Sequence, residues 1–278
     1  MIPDWQKKNL FVSSVLSEKY SSDFQKIKEI LDKHSVECRF IDQTKDIWAR
    51  DYMPVQVGLD KFVQFRYEPD YLDGFDDLRT IPSEIEMLKD YTIESSSINL
   101  DGGNVVCSKD KVILTHRVFK ENPGLSKHKV QNDLERLFDS EVYFVPDLDE
   151  KDDMTGHIDG HLRFVDNETI VVNRLADEET FWQRSFHEMI AVSGLRYVEM
   201  PWFTPSLKTS DVSAIGSYVN YLHLDDLIIF PVFDCKGNKD AEALKVIHNL
   251  FPNHSIEPVV INDIAKEGGL MNCITWTC

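Results

Sequence analysis

The chain has 278 residues, 42% hydrophobic and 28% charged, enough to bury a sizeable core as one large domain or two ordinary ones. Its formal charge of -18 argues against nucleic acid, which needs clustered Lys and Arg to displace counterions from phosphate, and favours a cationic ligand. No stretch is apolar enough to span a membrane, Met1–Lys8 leads into no cleavable apolar region, and five scattered cysteines suit free thiols in a reducing compartment, so a cytoplasmic protein is expected.

In chain order, Leu10 to Ser13 reads as a strand. Ser22 reads as the cap of a helix, with Gln25 at the reciprocal position and Phe24, Ile27, Ile30 and Leu31 recurring on one face. A second strand is predicted at Val36 to Ile41, before Asp46-Ile47-Trp48-Ala49-Arg50-Asp51-Tyr52-Met53-Pro54, a segment dense in aromatics and charges and closed by proline.

A rhythm follows. Val55–Val57 and Phe62–Phe65 read as a hairpin and Ser83–Leu88 as a short helix. Val105–Cys107 and Val112–Thr115 pair across Lys109-Asp110, a helix carries Val130, Leu134 and Leu137, and Val142–Val145 closes the unit. The third unit has strands at Leu162–Val165 and Thr169–Val172, a helix from near Asp177, and a strand at Arg196–Glu199. The fourth has strands at Ser217–Leu222 and Leu227–Phe230, a helix bearing Ala241, Leu244, Ile247 and Leu250, and a strand at Ile256–Ile261.

Strand, strand, helix, strand thus recurs at roughly fifty to sixty residues, a period typical of closed arrays. A terminal strand around Cys273 lacks a helix, and the N-terminal strand, helix and strand supply what it lacks. The expectation is α/β, with five units closed into a ring and the last unit assembled from both chain ends. An open mixed α/β sheet is the alternative.

In a ring, the loops entering the first strands converge on one end of its axis. They carry Asp51, Asp101-Gly102-Gly103-Asn104, His157-Ile158-Asp159-Gly160-His161, Asn220 and Cys273. Each has a plain reading too: Asp101–Asn104 as a tight turn, Asp51 with Arg50 as a surface ion pair, Asn220 as a backbone-satisfying amide, Cys273 as a core thiol. Cys278 reads as an exposed terminal thiol. If 157–161 is extended, alternation puts His157, Asp159 and His161 on one face, a donor set that opens a metal-dependent hydrolase as one reading. The other reading takes Cys273 as nucleophile and His157 as proton carrier, oriented by a carboxylate.

Trp48-Ala49-Arg50-Asp51-Tyr52-Met53-Pro54, Asp101-Gly102-Gly103-Asn104, Thr155-Gly156-His157-Ile158-Asp159, Ser217-Tyr218-Val219-Asn220 and Gly268-Gly269-Leu270-Met271-Asn272-Cys273-Ile274-Thr275 together resemble the agmatine deiminase and bacterial peptidylarginine deiminase family. The resemblance covers most of the chain and implies a five-bladed α/β propeller of ββαβ repeats, as one guanidino-group-modifying catalytic domain over residues 1–278. It implies Cys273 as nucleophile, His157 as general acid and base, and Asp101 as the carboxylate completing the triad. Asp51 and Asp159 would bind a guanidinium, with Trp48 and Asn220 lining the pocket. It implies a deiminase of agmatine or a related arginine compound that works through a covalent thiouronium on the cysteine, with a small cationic guanidino partner and no metal or other cofactor. A non-catalytic guanidinium-binding protein is the remaining alternative, and whether the protein is a homo-oligomer is left open.

Three departures from the family pattern stand out. Asp101 occupies a position typically Glu in agmatine deiminases, Asn272 one typically His, and Trp276-Thr277-Cys278 replaces a polar run. Substrate choice is expected to be decided at Asn272 and in that tail.

Overall fold

The computed structural model describes residues 1–148, 154–205 and 212–278. Its fifteen strands form five separate three-stranded sheets. The N-terminal part supplies β1 (Leu10–Ser13), helices α1 (Ser14–Lys19) and α2 (Ser21–Lys33), β2 (Cys38–Ile41) and the single-turn α3 (Ala49–Tyr52). One sheet then runs β3 (Val55–Gly58), β4 (Lys61–Arg66), β5 (Ile93–Asn99), and the next β6 (Val106–Cys107), β7 (Lys111–Thr115), β8 (Glu141–Val145), with α4 (Arg117–Lys120) and α5 (Lys127–Phe138) between β7 and β8. The third has β9 (Leu162–Phe164), β10 (Thr169–Asn173), α6 (Thr180–Ser193) and β11 (Arg196–Met200). The fourth has β12 (Leu222–Leu224), β13 (Leu227–Pro231), α7 (Asp240–Leu250) and β14 (Ser255–Val259), after which come α8 (Asn262–Ala265) and β15 (Thr275–Thr277).

Every sheet repeats one plan: an antiparallel pair, then a parallel pair joined by a crossover, which in four of the five contains a full helix. The fifth sheet takes β15 from one end of the chain and β1 and β2 from the other, with Phe11 opposite Trp276 and Leu10 opposite Cys38. The expected closure of the ring by both chain ends is therefore present, in a propeller-like array of five blades.

Locally the structure revises several expectations. Ser22 does not cap its helix: Tyr20 precedes α2, and the capping side chain nearby is Ser13, which accepts from the Val15 N–H at 3.1 Å to start α1. Ser83–Leu88 forms two 3-10 turns, Pro82–Glu84 and Glu86–Asp90, and β5 follows, its serine-rich Ile93–Asn99 lacking the alternation that marks a strand. On α7 the buried residues are Ala243 and Ile247, while Ala241 is exposed. Asn220 and Cys273 lie just before β12 and β15, because their backbone groups bond across blades: the Asn272 N–H reaches the Asn220 carbonyl (3.3 Å) and the Arg50 N–H reaches that of Cys273 (3.0 Å).

The chain's last residues belong to the core. Trp276 is 2% exposed, donates Nε1–H to the Pro54 carbonyl at 2.8 Å, and packs on Phe11, Phe62 and Tyr91. Cys278, expected to be exposed, is half-buried, and its carbonyl accepts from the Lys8 and Asn9 N–H groups. Trp276 thus joins blades through its packing.

Candidate active site

The dispersed polar residues meet. The turn α3 presents Asp51, and the 3-10 turn Gly102–Asn104 follows Asp101 so closely that the Gly103 N–H donates to Asp51 Oδ1 at 3.1 Å. A Cβ on Gly103 would lie 2.5 Å from both Asp51 Oδ1 and His157 Nδ1, which explains why that loop needs glycine there. Asn104 turns inward and accepts from the N–H (2.9 Å) and hydroxyl (3.0 Å) of Thr115; the same hydroxyl lies 2.6 Å from the Gly156 carbonyl, fixing the backbone that delivers His157.

His157 is buried between two carboxylates, with Nε2 2.9 Å from Asp101 Oδ2 and Nδ1 3.5 Å from Asp51 Oδ1. Burial alone would lower its proton affinity. The charges of Asp51, Asp101 and Asp159 and the Asp101 hydrogen bond outweigh burial, and its pKa is raised to about 10.

The thiol half is built by Asn220, Asp159 and the Asn272–Cys273 turn. Cys273 Sγ lies 3.6 Å from Asp159 Oδ2 and 3.2 Å from Asn220 Nδ2. Asn220 Oδ1 accepts from the N–H groups of Asn272 (3.0 Å) and Cys273 (3.4 Å), so one amide clamps the Cys273 loop. Asn272 Nδ2 donates to Asp159 Oδ2 at 2.6 Å. Trp48 leans on the same loop: a Cβ on Gly269 would stand 2.3 Å from its ring and 3.0 Å from Cys273 Cβ.

Burial, then repulsion from Asp159 and Asp51, pushes the Cys273 thiol well above its ordinary pKa. Asp51 is also pushed up, first by burial and then, against the opposing pull of His157, by Asp101, Asp159 and Asp46. The protein groups of the site therefore leave it short of positive charge. Among the described residues, no lysine or arginine side chain hydrogen-bonds Asp51, Asp101 or Asp159. Arg50, Arg163 and Lys7 line another cavity of about 30 Å³ together with Asp4 and Asn272; that is room for about two waters.

The structure brings together Asp51, Asp101, His157, Asp159, Asn220 and Cys273, with Trp48 against the loop. It does not bring in His161. Ile158–Gly160 is a 3-10 turn, so alternation fails: His161 turns to Glu178 (3.6 Å) and to the Trp182 ring, away from its two expected partners. Among the described residues, no three His, Cys, Asp or Glu side chains are grouped to hold a metal ion. Asp51 is buried, and its Arg50 neighbour points elsewhere, to the Asn272 carbonyl (3.3 Å) and Thr277 hydroxyl (3.5 Å), so the surface ion pair is also corrected.

Two contributors escape sequence reading. Tyr71 donates its hydroxyl to Asp101 Oδ2 at 2.7 Å. Asp46, whose carboxylate accepts the Trp48 N–H at 2.9 Å, has its pKa raised to about 7, chiefly by burial. Both lie in irregular segments, where no periodicity or motif marks them.

Agmatine deiminase of Pseudomonas aeruginosa (strain LESB58) is 26% identical over 213 residues, an alignment spanning 67% of this chain and only 56% of that protein. Among solved structures, C. jejuni agmatine deiminase superposes with a TM-score of 0.80 at 19% identity, covering 99% of this chain and 94% of that one. The agmatine deiminase of Enterococcus faecalis does so with 0.78 at 14%, covering 100% and 94%. With the sequence model of Porphyromonas-type peptidyl-arginine deiminases matching residues 8–278, the chain belongs to that family.

Proposed function

We propose that the chain is a single-domain deiminase that hydrolyses the guanidino group of a cationic arginine-derived compound, agmatine first among them, through a covalent intermediate on Cys273. One observation carries this reading: the Cys273 thiol sits 3.6 Å from a buried carboxylate, Asp159, in a site that pairs a second buried carboxylate, Asp51, with a carboxylate-bound imidazole. A guanidinium is planar and permanently charged, and paired carboxylates are its natural receptors. Asp51 and Asp159 would hold its N–H groups and bring the central carbon before Sγ, with Trp48 and Asn220 lining the pocket.

The bound cation would also supply the positive charge that these carboxylates call for. Its charge offsets Asp51 and Asp159 and so favours the Cys273 thiolate. The thiolate adds to the guanidinium carbon. His157, protonated at neutral pH, gives its proton to the departing ammonia, leaving an S–C thiouronium. Now neutral, His157 takes a proton from the attacking water, the S–C bond breaks, and a ureido product leaves; from agmatine this is N-carbamoylputrescine. Asp101 orients the imidazole throughout.

A substrate with a second positive charge fits a site whose described side chains supply carboxylates and no bonded lysine or arginine, whereas the α-carboxylate of free arginine would be repelled. The test incubates folded protein with agmatine, arginine and a blocked peptidyl-arginine, reading ammonia and the ureido product. Turnover of agmatine above the others is expected, with acid quenching trapping the adduct mass on Cys273. No turnover of any of the three, or an adduct on another cysteine, overturns the reading.

A further inference from the structure

We propose that Tyr71 is a positioning residue for this reaction: its hydroxyl shares Asp101 Oδ2 with the His157 imidazole and so sets how firmly Asp101 holds the His157 proton. The inference rests on the deiminase reading above. Tyr71 Oη donates to Oδ2 at 2.7 Å, His157 Nε2 lies 2.9 Å from the same oxygen, and the phenol ring stands edge-on to the imidazole, 6.0 Å between centroids. A carboxylate oxygen that already accepts one strong donor attracts the next less. Without Tyr71, Asp101 would bind the imidazolium more tightly, and His157 would be a poorer acid toward ammonia.

The placement of Tyr71 is built from several elements. It sits on the 3-10 turn Asp70–Leu72, tied to the neighbouring blade by the Asp70–Arg117 ion pair and by the Asp70 N–H, which donates to Glu121 Oε1 at 3.2 Å. Glu121 is itself held by Arg117 (3.3 Å) and by Asn99 Nδ2 (2.7 Å). The other groups acting on His157 are Asp51, 3.5 Å from Nδ1, and Asp159 through space; Tyr67 lies near Tyr71, and Glu121 and Asp46 add their charges to the field around Asp101. Burial, then Asp101, keeps the Tyr71 phenol protonated, hence a donor, across the working range.

The test compares wild type, Tyr71→Phe and Tyr71→Ala by NMR titration of the His157 imidazole and by pH profiles of kcat and KM on the substrate found above. In Tyr71→Phe the His157 titration should move upward and kcat at neutral pH fall about tenfold, with KM changed less than about twofold. An unmoved titration in Tyr71→Phe overturns the proposal. So does a silent Tyr71→Phe beside an impaired Tyr71→Ala, since the ring alone would then suffice. Should wild type turn over no guanidino compound, the deiminase reading fails, while the titration still decides whether Tyr71 governs the His157 proton.

Discussion

The Asn272 side-chain amide donates to Asp159 Oδ2 across 2.6 Å, both residues being buried beside the thiol. That bond fixes one oxygen of a carboxylate and leaves the other to meet a ligand. Asn272→Leu removes the donor and leaves a buried carboxylate under-satisfied, at a cost of about 1–3 kcal/mol. Asp159 should then be misplaced for a guanidinium, raising KM about tenfold with a smaller effect on kcat. Steady-state kinetics check this, and an unchanged KM would show that Asp159 needs no such support.

Cation binding should release protons. Burial and the neighbouring carboxylates hold the pKa of both Asp51 and Cys273 high, so a guanidinium that offsets Asp51 and Asp159 lowers both. Calorimetric titration of a non-reacting guanidinium analogue near pH 7, repeated in buffers of different ionisation enthalpy, should show net proton release. Proton uptake, or no linkage, would contradict this electrostatic account.

Gly269→Ala places a Cβ 2.3 Å from the Trp48 ring and 3.0 Å from Cys273 Cβ. Overpacking of this kind costs about 1–3 kcal/mol, and the ring or the Cys273 loop must shift. Turnover and melting temperature should both fall, with altered tryptophan emission. Trp48→Leu in the same chain should restore part of the stability by vacating the space, and failure of that rescue would place the clash elsewhere.

Acid should weaken the fold through His223. This side chain is 2% exposed and packs against the rings of Trp5, Phe251 and His254; its pKa is lowered to about 4 from 6.5, chiefly by burial, with the charges of His254 and Arg163 adding to the shift and Asp4 opposing it. The folded pKa lies below the unfolded one. The neutral ring's contribution is therefore complete above about pH 6.5 and is lost as pH falls toward 4, roughly 3 kcal/mol in all. His157, shifted upward, works in the opposite sense: its contribution is full below about 6.5 and fades as pH rises through 10. His223→Phe should flatten the acid limb of stability in denaturant titrations between pH 7 and pH 4.5. Parallel limbs in the two proteins would rule His223 out as the acid-sensitive group.

The ring and most of the site could be read from sequence because their signals are local. Four of the five blades announce themselves by a hairpin, most with an amphipathic helix, and the loop Asp101–Asn104 carries a glycine, Gly103, that its close packing makes necessary. What was hidden depends on partners distant in the chain. Tyr71 reaches Asp101 only because Arg117 and Glu121 of another blade hold its turn. Trp276 looks like a change in a polar tail until β15 pairs with β1 and buries it between Phe11, Phe62 and Tyr91. His161 misled because an alternation argument needs an extended chain, and a 3-10 turn interrupts it.

Cys273 stands two residues before β15, the strand that closes the ring against β1. The proposed nucleophile therefore rides on the seam of the molecule. Any opening of that one sheet withdraws the thiol from Asp159 and Asn220 while the other four blades can stay intact. The proposed activity is then sensitive to that seam and should vanish on warming or in mild denaturant ahead of the bulk of the secondary structure.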